Sequence, residues 1–276
     1  MNLSTFCNIA TAVIFGVVGL CIGSFLNVVI YRLPNHMSLA TPPSHCTRCG
    51  YRLHWYDNIP IYSYLILHGR CRRCKTKISP RYVIVEAVTM ILYLLCYFSF
   101  GFSDVRSAIL SITSALAVSV CICIAAIDLE HKIIYDRFQL IMAGLAIVFI
   151  IADKDSSIIG NIISAVIAFV ALYIIDLFVS KKAGRDALGG GDIKFAFVSA
   201  LFLGWERVIC MWIIASLSSL VYIAVGSLLE KRSARQGTES DSDAEYPFGP
   251  FLVLGFVVML LFGTKIISAY MGLLGM

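Results

Sequence analysis

Apolar residues in this chain gather into long runs, at about 8–30, 83–102, 107–127, 138–152, 157–180, 193–204, 207–229 and 248–271. A helix needs roughly 20 predominantly apolar residues to cross a bilayer, so most of these runs span or nearly span. The fourth and sixth are short, which predicts tilted, broken or partly re-entrant segments. The pattern gives an all-α polytopic membrane protein with about eight transmembrane helices, seven being the fallback count. It divides the chain into a first helix over 1–30, a polar loop module over 31–82 and a helical domain over 83–276.

The composition, 59% hydrophobic and 14% charged, agrees with a membrane class. A net charge of +5 matters less than where the charge sits. With eight spans and the 31–82 module inside, only Arg106, Lys154, Arg207 and Lys265 of the 22 Lys and Arg fall outside. Cationic loops stay in the cytoplasm, so both termini are expected outside. The loops near 31–82, 128–137, 181–192 and 230–247 are then cytoplasmic. Topology accounts for these basic loops, and no nucleic acid is expected as their partner. The first apolar run lacks a basic stretch before it and continues into Tyr31-Arg32-Leu33-Pro34, so it reads as a retained span rather than a secretory signal. Its Gly16, Gly19 and Gly23, with Ser24 and Asn27, are expected to pack against a neighbouring helix.

The 31–82 module carries Cys46-Thr47-Arg48-Cys49 and Cys71-Arg72-Arg73-Cys74. Each Cys-x-x-Cys pair offers two thiolates from one knuckle turn, and two pairs complete a tetrahedral zinc site. The rival reading is redox chemistry, but two pairs in one short module favour a structural Zn²⁺. His45 is expected to be a neighbour of that site and not a ligand. The module is too short for a substantial apolar core, so the metal is expected to hold its fold. The other six cysteines, Cys7, Cys21, Cys96, Cys121, Cys123 and Cys210, lie in or beside apolar runs and read as packing residues. Trp55 and Tyr56 beside the turn-forming Asp57-Asn58 are aromatics suited to headgroup level. Glu86 opens the second span and is placed to pair with Arg81.

Two carboxylates stand at the ends of apolar runs. Asp128 directly follows the third, and Asp192 follows Gly189-Gly190-Gly191 at the mouth of the sixth. Glycines followed by Asp also cap ordinary helices, so the Gly-x-Gly-Asp pattern alone is a weak signal. Its weight comes from the match: both aspartates fall at cytoplasmic helix ends and so at one depth. Charged groups at membrane depth are costly and usually functional. Asp176, inside an apolar run, competes for that role, but Lys181 and Lys182 lie close enough along the chain to pair with it. Asp136 is expected to cap the fourth segment. The stretch 231–245 is polar throughout and reads as a flexible loop, before Tyr246-Pro247-Phe248-Gly249-Pro250 opens the last span.

Two aspartates sharing a site do not both ionise easily, so one holds a proton while the other stays charged. The charged one can take a proton from water as the water attacks a carbonyl, and the other can protonate the departing amine. That chemistry hydrolyses a peptide bond without a covalent intermediate. The three glycines are expected to leave room for an extended peptide beside Asp192. The substrate expected at this membrane face has an apolar segment preceded by charge.

Over nearly its whole length the sequence resembles the type IV prepilin peptidases, Gly-x-Gly-Asp aspartic proteases of bacterial inner membranes. The resemblance rests on the run from Gly23 to Pro34, both Cys-x-x-Cys pairs, Asp57-Asn58-Ile59-Pro60, Ile78-Ser79 and Arg81-Tyr82. It continues through Ile127-Asp128, the run from Gly189 to Lys194 and Pro247-Phe248-Gly249-Pro250. It implies removal of a short basic leader after a glycine in type IV prepilins or type II secretion pseudopilins, at the cytoplasmic face. It also implies N-methylation of the new terminus from S-adenosylmethionine (S-adenosyl-L-methionine). By motif position Asp128 and Asp192 resemble the family's catalytic pair, and Gly69 and Arg70 its methyl-transfer step. One position departs: Tyr135 stands where members usually carry proline. The insert at 231–245 also looks lineage-specific. The competing class is a transporter or channel with a structural zinc module, which also uses intramembrane Asp at broken helices. The chain shows no internal repeat to support it.

Overall fold

The computed structural model describes residues 3–154, 156–183, 189–234 and 247–273, and among these the fold is helical with no strand beyond isolated bridges. Eight helices correspond to the eight apolar runs: α1 (Leu3–Arg32), α3 (Arg81–Phe100), α4 (Val105–His131), α5 (Asp136–Ala152), α6 (Ile158–Ala183), α7 (Gly190–Leu203), α8 (Trp205–Ala234) and α9 (Gly249–Leu273). A short α2 (Tyr62–Ile66) lies in the polar module. Six are long and apolar enough to cross a membrane; α5, with 17 residues, and α7, with 14, are too short. The expected count of eight spans therefore rests on those two. α8 runs through Ala234, so residues 231–234 continue a helix where a loop was expected, and the remainder of that loop lies outside the described residues.

The chain forms two compact units, Met1–Cys123 and Ile124–Met276, with α4 contributing to both. In the first, α1 packs along α3. A Cβ on Gly19 would lie 2.9 Å from the Met90 backbone and one on Gly23 2.8 Å from that of Glu86, so these glycines set the closeness of the pair. The packing role expected for the small residues of α1 is thus met. Asn27 donates to the Tyr82 carbonyl (3.0 Å), and the Tyr93 and Ser119 hydroxyls pair at 3.0 Å between α3 and α4. Cys96, Cys121 and Cys123 are buried as packing residues, whereas Cys7 and Cys21 lie on the exposed surface of α1.

In the second unit α7 is central: nine of its fourteen residues are buried, and it touches α5, α6, α8 and α9. The phenyl rings of Phe149, Phe195, Phe202 and Phe256 fill the space around it. α7 stops short because Gly204, at φ 78°, turns the chain, and Asn161 of α6 donates to the Leu201 carbonyl at 3.0 Å. α6 and α8 leave most of their apolar side chains exposed, as helices facing lipid do.

Candidate functional site

Asp128 sits in the last turn of α4. The helix ends as Lys132, at φ 55°, bonds back to the Asp128 carbonyl, and the chain leaves toward α5. The carboxylate is 6% exposed, and its Oδ2 accepts the Gly249 N–H at 2.9 Å. That amide belongs to the N-terminus of α9, where unpaired N–H groups and the helix dipole favour an anion. A Cβ on Gly249 would lie 2.6 Å from Oδ2, so this approach requires glycine. Sequence reasoning took 247–250 only as the opening of a helix and missed that Gly249 holds Asp128. Its signal is a glycine inside Pro-Phe-Gly-Pro, where a plain helix start has no need of one.

Asp192 lies in the first turn of α7, half-buried, with Gly189 as the N-cap residue. It is near enough to Asp128 to interact electrostatically, and both aspartates belong to the second unit. The glycines before it do different jobs. A Cβ on Gly189 would meet Asp192 Oδ2 at 3.2 Å, and one on Gly191 would meet Ile134 at 2.8 Å. Only Gly190 faces open space, so one glycine of three leaves the room expected for a second chain.

α5 braces this turn. Gln139 is buried and donates to the Gly191 carbonyl (3.3 Å), and Lys194 pairs with Asp136 at 2.6 Å. Asp136 was expected to cap α5. Instead Tyr135 is the N-cap residue, and Asp136 follows it in the first turn. Tyr135 has φ −75° and ψ 134°, angles a proline would also adopt, so the turn survives the departure from the family pattern. Asp176 lies on α6, and Ser180, one turn on, donates to its carboxylate at 3.1 Å.

The cysteine module, in the first unit, is built from two similar knuckles. Cys46 N–H bonds to the Tyr51 carbonyl and Cys71 N–H to that of Thr76, with short bridges at His45–Arg52 and Arg70–Lys77. Each knuckle turns through a left-handed residue, Gly50 at φ 66° and Lys75 at φ 59°. The sulfurs of Cys46, Cys49, Cys71 and Cys74 lie within 4.8 Å of one another, a set able to hold a metal ion, and His45 is not among them. Arg48 bonds to Thr76 across the knuckles (3.1 Å). Asp57 ties the module together, accepting from Arg72 Nε at 2.7 Å, the His54 N–H at 3.2 Å and the Tyr51 hydroxyl at 3.2 Å. Gly69 has φ 64°, and a Cβ there would lie 2.8 Å from the Tyr64 hydroxyl; Arg70 beside it is exposed.

Comparison with known proteins identifies the family. The family profile described as the bacterial peptidase A24 N-terminal domain matches residues 17–100, and that of the type IV leader peptidase family matches 115–224. The chain is similar to the prepilin leader peptidase/N-methyltransferase of Myxococcus xanthus, 34% identical over 86% of this chain and 69% of that protein. The protein of the same description from Pseudomonas aeruginosa is 30% identical over 93% and 92% of the two chains. The one from Vibrio cholerae is 31% identical over 90% and 95%. No solved structure matches. With the two profiles covering residues 17–100 and 115–224 and relatives of 30% or more identity over most of the chain, the chain belongs to the prepilin leader peptidase/N-methyltransferase family.

Proposed function

We propose that this chain is a membrane aspartic endopeptidase that removes the basic leader of type IV prepilins or type II secretion pseudopilins after a glycine. It then N-methylates the exposed terminus. The observation that carries the reading is the convergence of Asp128 and Asp192 at the ends of two helices, with the α9 N-terminus closing on Asp128. Asp128 and Asp192 are the catalytic pair. The ionised member takes a proton from water, and the water oxygen bonds to the carbonyl carbon of the scissile peptide. The protonated member gives its proton to the carbonyl oxygen; the first member then passes the proton taken from water to the nitrogen as the C–N bond breaks, and the carbonyl re-forms as one hydroxyl proton returns to the second member. Products are a free leader carboxylate and a new amine. Gly190, open on its Cα side, gives an extended substrate backbone access to Asp192. The charge distribution supports an active site at the cytoplasmic face of the bacterial inner membrane.

The cysteine set fits zinc. Tetrahedral Zn–S bonds of about 2.3 Å place sulfurs about 3.8 Å apart, and Cys46 and Cys74 Sγ are 3.8 Å apart. Cys46, Cys49, Cys71 and Cys74 would hold a structural Zn²⁺, with no ligand position left for water. S-adenosylmethionine would supply the methyl group. A side chain at Gly69 would run into Tyr64, so glycine there shapes the turn that leads into the second knuckle. Arg70, exposed beside this turn, is the cation that the family resemblance ties to methyl transfer.

The test is to incubate detergent-solubilised protein with a leader-bearing pilin precursor and S-adenosylmethionine, and to weigh the products. Cleaved pilin carrying one methyl is the expected outcome. Product lacking the methyl would leave a peptidase alone. No cleavage without sealed vesicles, but ion or solute flux with them, would favour the transporter class.

A further inference from the structure

The short helix α2 has an apolar face that nothing among the described residues covers. Tyr62, Leu65 and Ile66 are 58%, 63% and 52% exposed, while Ser63 on the other side is buried and donates to the Tyr56 carbonyl. Positions i, i+3 and i+4 share one side of a helix, so the three form a single patch.

The depth of this patch is set by Glu86. Its Oε2 accepts the N–H of Ile61, the residue that caps α2, at 2.7 Å. Ile61 is held at φ 59°, an uncommon conformation for a β-branched residue, so the contact fixes the start of α2 against α3. Glu86 lies five positions past Arg81, the first residue of α3. At 1.5 Å per residue that is about 7.5 Å along the helix. α3 has 20 residues. That gives about 30 Å, matching the hydrocarbon core with no surplus. Glu86, and with it the cap of α2, therefore lies about 7.5 Å in from the Arg81 end of α3, just inside the edge of the hydrocarbon. The charge around it is one-sided. Between residues 31 and 82 Asp57 is the only acid, and Arg48, Arg52, Arg70, Arg73, Lys75 and Lys77 are all exposed.

We propose that α2 is a lipid-docking turn, with Tyr62, Leu65 and Ile66 entering the headgroup–acyl boundary of an anionic bilayer. The basic residues of the knuckles meet the headgroups beside it. The cysteine module then rests on the membrane surface instead of standing free of it, and Glu86 is the anchor that sets its depth. This goes beyond the proposed reaction and does not depend on it.

The test uses the full chain in nanodiscs, with Trp55, Trp205 and Trp212 replaced by Phe so that one introduced indole reports. Leu65→Trp and, separately, Ile66→Trp are compared with Lys75→Trp in that background. Lipid brominated near the glycerol end of its chains should quench Leu65→Trp and Ile66→Trp at least about threefold more than Lys75→Trp. Quenching should weaken when the anionic lipid is replaced by a zwitterionic one. Equal, weak quenching at all three positions would overturn the proposal. So would an indole at position 65 or 66 that is shielded from aqueous iodide yet unquenched by lipid, because the face would then be covered by protein. Quenching that is unchanged in zwitterionic lipid would overturn the anionic preference.

Discussion

The aspartate site and the cysteine module hold comparable numbers of functional groups but are assembled in opposite ways. The four sulfurs come from two short knuckles with the same local hydrogen-bond pattern, and each knuckle carries its own pair. The aspartate site has no such local unit. Asp128, Asp192 and the Gly249 amide come from the ends of α4, α7 and α9, and Gly249 stands 121 residues beyond Asp128. What brings them together is close backbone approach, secured by Gly191 against Ile134 and Gly249 against Asp128. Damage should therefore be local and metal-reversible in the module, but should spread through helix placement at the aspartates.

The largest effect is expected at the aspartates themselves. Asp128→Asn and Asp192→Asn should each lower leader cleavage by at least about 10³-fold, because neither amide can exchange the shared proton. Gly249 comes next. A methyl there would meet Asp128 Oδ2 at 2.6 Å. Displacing the α9 amide should cost cleavage on the order of 10²-fold for Gly249→Val and less for Gly249→Ala, in initial rates at matched expression. Unchanged rates for both would show that this contact does not position the carboxylate.

The module should respond differently. Cys46→Ser or Cys71→Ser is expected to reduce bound zinc well below one per chain by elemental analysis. Protease sensitivity within 31–82 should rise, and a chelator should reproduce this in the parent protein. Zinc absent from freshly reduced parent protein would contradict the assignment. Gly69→Leu strains a left-handed turn and displaces Tyr64. Methylation should fall about tenfold further than cleavage, since methyl transfer depends on holding two substrates in line. Proportional loss of both would make the module a shared scaffold. The smallest effect belongs to Asp176→Asn, expected to stay within about twofold of the parent rate; complete loss would bring Asp176 into the site.

The same contrast decides what the sequence could disclose. Cys46, Cys49, Cys71 and Cys74 were legible as one set because ligand spacing within a knuckle is a local property. The long helices were legible from their apolar runs, and even α5 and α7 stood out as short. The Asp128–Asp192 pair was reachable only through expected depth, both standing at helix ends, and through the motifs that carry the family resemblance. The Gly249 bond to Asp128, the Gln139 brace on Gly191 and the Asp136–Lys194 pair were not legible, because each joins helices far apart in the chain. The Glu86 bond to Ile61 was not legible either, because it joins α3 to a backbone amide of the polar module 25 residues earlier.

The central claim is that Asp128 and Asp192 act as one site, and the double variant tests it most directly. Cleavage of a leader-bearing precursor should be measured for Asp128→Asn, Asp192→Asn and the two combined, with intact insertion confirmed by zinc content and protease pattern. Members of a single catalytic unit are grossly non-additive, so the double variant should fall no more than a few-fold below either single one. Losses that multiply, or near-normal cleavage by either single variant, would contradict the shared site.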